Sequence, residues 1–198
     1  MDTFLRSITF VALLSVCGVR DVSGFTQADT PLEREPLRSS QIAARVYVAA
    51  RSATFDHVDR APNLIVGSAH QALIVEMLAR SPTFRRQCAR LVAASNLTVL
   101  VRSDLPAGTR AGALTSIQST GRGKIEAVVR VGMSHRTVEL IAHEIEHIIE
   151  QLDGVDLRVK SRLPTSGVRH VWDLDAYETT RAIATGLRVA RELSGNEP

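Results

Sequence analysis

His143, Glu144 and His147 stand in the run Thr137-Val-Glu-Leu-Ile-Ala-His-Glu-Ile-Glu-His-Ile-Ile-Glu-Gln-Leu-Asp. Two imidazoles bracket a carboxylate in an HExxH pattern. Residues four apart lie about 40° apart around an α-helix, so both rings project from one side and can chelate a single Zn²⁺. Glu144, about 100° round from His143, comes near the metal without having to ligate it. From there it can take a proton from a water that the metal activates. The pattern alone would arise in about one random shuffle of this composition in a hundred, so its setting carries the argument.

That setting is an amphipathic helix. Val138, Ile141, Ile145, Ile148, Ile149 and Leu152 gather on one face, while Glu139, His143, His147 and Glu150 line the other. One stripe anchors the helix and the other presents ligands to a cleft. Ser134 reads as the N-cap, and Asp153-Gly154 as the stop. Glu139 and Glu150 can orient the histidines through their second ring nitrogens, or can simply be solvated helix charges.

Catalytic zinc usually has three protein ligands and one open position. A metzincin-like continuation would need Gly at 150 and His at 153, where this chain has Glu150 and Asp153. Asp153 fits the helix-ending turn better than a ligand role. Glu178 lies 31 residues past His147. Asp173 to Glu192 reads as a helix stopped by Gly195, with Leu174, Glu178, Ala182, Thr185, Val189 and Leu193 along one stripe. Glu178 is the only charge on it. A carboxylate on a buried face needs a cation, so it is either a metal ligand or half of a buried salt bridge.

On the HExxH run and this later glutamate, the chain resembles the zincin metallopeptidases in their gluzincin arrangement. The resemblance covers about residues 124–195. It implies His143, His147 and Glu178 as zinc ligands, Glu144 as general base, and a peptide or protein substrate. The thermolysin-like branch carries Asp four residues after the ligand glutamate, whereas this chain has Ala182. His170 and Tyr177, close to Glu178 in sequence, are the candidate donors to the charge that develops on a scissile carbonyl. The class that competes with a peptidase is a non-catalytic exported zinc-binding or assembly module with the same fold. An intact Glu144 argues against it.

The elements that must position these residues suggest an α+β fold, a small sheet packed on helices, within a single zincin-like domain over residues 42–198. Ser68 to Ala79 and Pro82 to Ala94 read as helices joined at Ser81, the N-cap ahead of a proline that tolerates the first helical position. Ile42 to Ala49 and Leu97 to Val101 read as strands. Ala113 to Ser119 and Lys124 to Val131 form a hairpin across Thr120-Gly121-Arg122-Gly123. Lys124 to Val131, which leads into the HExxH helix, is either an internal strand or an edge able to pair with an extended peptide.

Residues 1–24 read as an export signal, with a buried N-terminal helix as the alternative: Arg6 precedes an apolar stretch, Ser7 to Val19, too short to span a bilayer comfortably, and small residues follow at Val22-Ser23-Gly24 or at Thr26-Gln27-Ala28. This places the protein in the periplasm or outside the cell. Val16 before Cys17 fits a lipobox poorly, so no lipid anchor is expected there. Residues 25–41, rich in Pro, Ser and charge, read as a flexible leader. A net charge of +3 with cations spread along the chain and 4% aromatics lacks the basic stripe and stacking residues of a nucleic-acid binder. His57, His70 and His135 have no partner at metal spacing, and Cys88 reads as a buried thiol.

Overall fold

Alternating β-branched residues build the sheet. The computed structural model describes residues 8–12, 55–58, 61–120, 123–172 and 175–195. Their strands are β1 (Ile8–Ala12), β2 (Phe55–Val58), β3 (Ala61–Gly67), β4 (Leu97–Arg102), β5 (Ala113–Ser119) and β6 (Ile125–Val131). They form one mixed sheet in the order β1-β5-β6-β4-β3-β2. Along β6, Ala127, Val129 and Val131 are buried and the residues between them less so, the period-two signature of a strand with one face on the core. β4 runs parallel to β3 and β6, and β5 runs antiparallel to β6 and β1.

The helices are α1 (Ser68–Arg80), α2 (Pro82–Ala93), α3 (Thr137–Leu152), α4 (Leu157–Lys160) and α5 (Thr180–Ser194). A hairpin, β7 (Val168–Val171) and β8 (Ala176–Thr179), precedes α5. The fold is therefore α+β, a small mixed sheet packed on helices. α1 and α2 make the crossover between parallel β3 and β4. Ser81 separates them as expected: its hydroxyl accepts the Phe84 N–H at 2.9 Å with Pro82 in the first turn.

Val66, Val99 and Val129 from the sheet share one core with Ile74, Phe84, Leu91, Ile141 and Ile145. Complete burial of a side chain of this size stabilises the fold by about 1.5–3 kcal/mol relative to exposure. Glu192 ties α5 to the start of α2, accepting from the Thr83 N–H at 3.1 Å and the Thr83 hydroxyl at 2.6 Å. A carboxylate at a helix N-terminus also meets the positive end of the helix dipole.

Several expectations are corrected. The segment read as one helix from Asp173 is a strand followed by a helix: β8 takes Ala176–Thr179, and α5 begins at Thr180. Thr179 is the reason for the break. Its hydroxyl caps α5 by accepting the Ala182 N–H at 2.9 Å, while its backbone remains extended and pairs with Val168. Gly195 ends α5 at φ 76°, the left-handed position that favours glycine.

Ser134 is not the N-cap of α3. Arg136 is, and the Thr137 hydroxyl accepts the Ser134 N–H at 2.8 Å in the turn before it. β6 is internal, flanked by β5 and β4, so it cannot offer an edge to a peptide. β1 lies inside the segment read as an export signal. The leader 25–41, Cys17 and the strand expected at Ile42 to Ala49 fall outside the described residues. Among those described, no helix is long and apolar enough to cross a membrane.

Candidate metal centre

α3 is buried on both faces. Leu140 to Glu150 are all buried, because the sheet covers its apolar stripe and α5 packs along its other side. The polar stripe therefore faces protein. That makes every charge on it a group in need of a partner.

His143 and His147 bring their Nε2 atoms to 3.1 Å from each other. Glu178 Oε1 stands 3.1 Å from the first and 3.7 Å from the second. The three residues form a buried group that could hold a metal ion. Tetrahedral ligation at about 2.0–2.1 Å sets the ligand atoms about 3.3 Å apart, and this triangle brackets that spacing. Glu178 reaches it from the end of β8 and not from a helix, with its Oε1 also accepting the Thr179 N–H at 2.8 Å. The pleat fixes its direction while the cap at Thr179 fixes where the strand stops.

Glu150 supports the centre from behind. It lies 2.9 Å from His147 Nδ1 and accepts the Thr179 hydroxyl at 2.7 Å. A proton on Nδ1 shared with Glu150 leaves the Nε2 lone pair turned to the triangle. Glu139 instead pairs with Arg136, at 2.9 Å from its Nε. Asp153, the alternative ligand, binds Arg90 and, at 2.9 Å, Arg181. It is the C-cap of α3, and Gly154 follows at φ 74°. This excludes it from the triangle and leaves it the helix-ending role.

Glu144 is completely buried, and neither of its carboxylate oxygens has a hydrogen-bond partner among the described residues. The Thr115 hydroxyl on β5 is close enough to donate towards it and so favour its charge, though neither group reaches standard hydrogen-bond geometry with a described residue. Burial pushes the Glu144 carboxyl above the usual carboxylate range, against the pull of His143 and His147. A buried carboxylate without a partner, beside a group that could hold a metal ion, is one that a cation or a water would satisfy.

The charges of the triangle say the same. Burial disfavours a protonated His147, but Glu150, Glu178 and Glu144 prevail and raise it to about 9. Burial likewise works against an ionised Glu178, yet hydrogen bonds from His143 and His147 bring it to about 2. Without a metal, the site takes a proton in its place. Metal must displace that proton, so metal affinity should rise as pH increases towards about 9 and fall by up to about tenfold per unit below. Competition titrations from pH 6 to 9 read this directly, and a flat profile would show that no ligand proton is displaced.

His170 and Tyr177 do not join the centre. They are directly opposed on β7 and β8, and alternation along β8 puts Tyr177 on the face away from Glu178. Their rings lie 5.0 Å apart, Trp172 stands 4.2 Å from His170, and His170 Nε2 is 3.1 Å from Asp175. Being next to Glu178 in sequence is what turns Tyr177 away. His70 is buried and His135 exposed, both outside the centre.

Two contributors have no clear mark in the sequence. Glu146, buried on α3, accepts from Gln87 of α2 at 2.8 Å and from Arg181 of α5 at 2.6 Å, joining three helices. Gly186 allows α5 to approach: a Cβ there would lie 2.6 Å from the Glu139 carbonyl and 3.1 Å from His143 Cβ. Gly186→Ala should therefore destabilise by about 1–3 kcal/mol, despite a gain of up to about 1 kcal/mol in helix propensity. Thermal melting checks it; an unchanged or higher midpoint would mean that the crossing tolerates a methyl group.

Comparison with family models, with curated proteins and with solved structures finds no match to this chain.

Proposed function

We propose that the protein is an exported zinc-dependent metallopeptidase of zincin-like design, with His143, His147 and Glu178 as ligands and Glu144 as general base. The observation that carries this reading is the completely buried Glu144 carboxylate, without a standard hydrogen bond among the described residues, beside the ligand triangle. A purely structural zinc site has no use for a base in that position. Two imidazoles with one carboxylate, at tetrahedral spacing, suit Zn²⁺ better than the hard cations, which prefer oxygen throughout. The third ligand comes from a strand end ahead of the last helix, a departure from the gluzincin arrangement, in which a helix supplies it.

When bound, the zinc supplies a Lewis acid that acidifies water and takes up charge from a carbonyl oxygen. Glu144 accepts the proton of the attacking water as its oxygen bonds to the peptide carbon. It then passes that proton to the amine nitrogen as the C–N bond breaks. Glu150, steadied by Thr179, holds the His147 ring in one orientation throughout. The second reading is a non-catalytic zinc-binding or assembly module. One observation favours it, since His143, Glu144, His147 and Glu178 are all buried in the whole chain.

Elemental analysis of the purified protein should find about one zinc per chain. Hydrolysis of a mixed peptide library should stop with a chelator and return with Zn²⁺. Stoichiometric zinc without chelator-sensitive hydrolysis in any form of the chain would favour the non-catalytic module. Absence of zinc would remove both readings.

A further inference from the structure

The side chains of the centre are buried, and one edge segment packs against the elements that carry them. β1 is the outermost strand beyond β5, antiparallel to it, with Phe10 opposite Thr115 and Ala12 opposite Ala113. Thr115 is the β5 residue that neighbours Glu144. β1 also packs against α3 and β8, the two elements that carry the base and all three ligands. One extended segment thus runs along the β5 edge, against the helix that carries the proposed base and the strand that carries the proposed ligand carboxylate. This is the chain direction and position that an extended peptide would need for main-chain pairing to β5.

We propose that Ile8–Ala12 occupies in cis the docking strand of the site, so that the whole chain is latent, and that the outer edge of β5 accepts extended peptides once this segment is gone. The proposal rests on the peptidase reading for its consequence but not for its geometry. Cleavage near Val22-Ser23-Gly24 during export would take β1 away with the signal, so the cut that completes export also opens the cleft. Latency of this kind needs no strong pairing. A tethered segment acts at an effective concentration in the millimolar range, enough to exclude peptides that bind a free edge weakly. Backbone pairing further predicts that the site accepts varied extended peptides and rejects helical ones.

The test uses the whole chain and a Thr9→Pro/Phe10→Pro variant. Adjacent residues of a strand direct their N–H groups to opposite sides, so this pair removes a donor to β5 whichever the phase. The probe is a labelled, capped Ile-Thr-Phe-Val-Ala peptide flanked by lysines for solubility. The variant should bind the probe at least about tenfold more tightly than the whole chain, with circular dichroism unchanged. In the whole chain, the alternate β5 amides turned away from β6 should resist hydrogen exchange. That second measurement decides the matter even if the proline variant fails to fold. Equal probe binding by both folded proteins, or rapid exchange of those amides in the whole chain, overturns the proposal. Probe binding by the variant with no peptide hydrolysis would sustain the docking strand and sink the peptidase reading instead.

Discussion

Glu144→Gln is expected to leave zinc content and fold unchanged while hydrolysis falls by at least ~10²-fold, the scale of losing a general base. The amide preserves the shape of a side chain that is completely buried and in standard hydrogen-bond geometry with none of the described residues, so packing has little reason to change. What it cannot do is accept the proton of water. The loss should be in kcat, since the proton moves only as the reaction proceeds. Single-turnover kinetics on a susceptible peptide, with zinc measured on the same sample, would test this. A variant within tenfold of the wild type would assign the base elsewhere.

Loss of the ligands should have the other large effect. The His143→Ala/His147→Ala protein is expected to hold no stoichiometric zinc. Glu178→Ala should weaken zinc by more than the ~10–100-fold that removal of an outer partner costs, and Glu150→Gln by about that amount. Asp153→Ala should leave zinc affinity near normal, because its carboxylate belongs to Arg90 and Arg181. The change would instead loosen the end of α3. Competition titration at fixed pH separates these cases. A Glu178→Gln protein with unchanged affinity would show that the carboxylate only balances the histidines, as a buried ion pair would.

What the sequence by itself determined is the part written at short range. The i, i+4 spacing of His143 and His147 places both rings on one side of a helix, and their Nε2 atoms lie 3.1 Å apart. Ser81-Pro82 marks the junction between α1 and α2, the turn after Ser119 marks a hairpin, and Gly195 marks the end of α5. Each follows from local backbone and capping chemistry, which a few neighbouring residues settle.

Tertiary structure decided the rest. The apolar stripe from Ala182 to Leu193 was legible, but its extension back through Glu178 was not helical. Pairing with β7 and the Thr179 cap outweighed helical periodicity there. Nothing local distinguishes β6 as an internal strand from an edge, because that depends on β4 arriving from elsewhere in the chain. Likewise, α3 looked half-solvated until α5 covered it, and only contacts with distant segments give Glu146 its partners Gln87 and Arg181 and Glu150 its partner Thr179. Sequence spacing sets which side chains share a face. Which of those faces meet, and so where a buried charge must find its counterpart, is set by contacts between segments far apart in the chain.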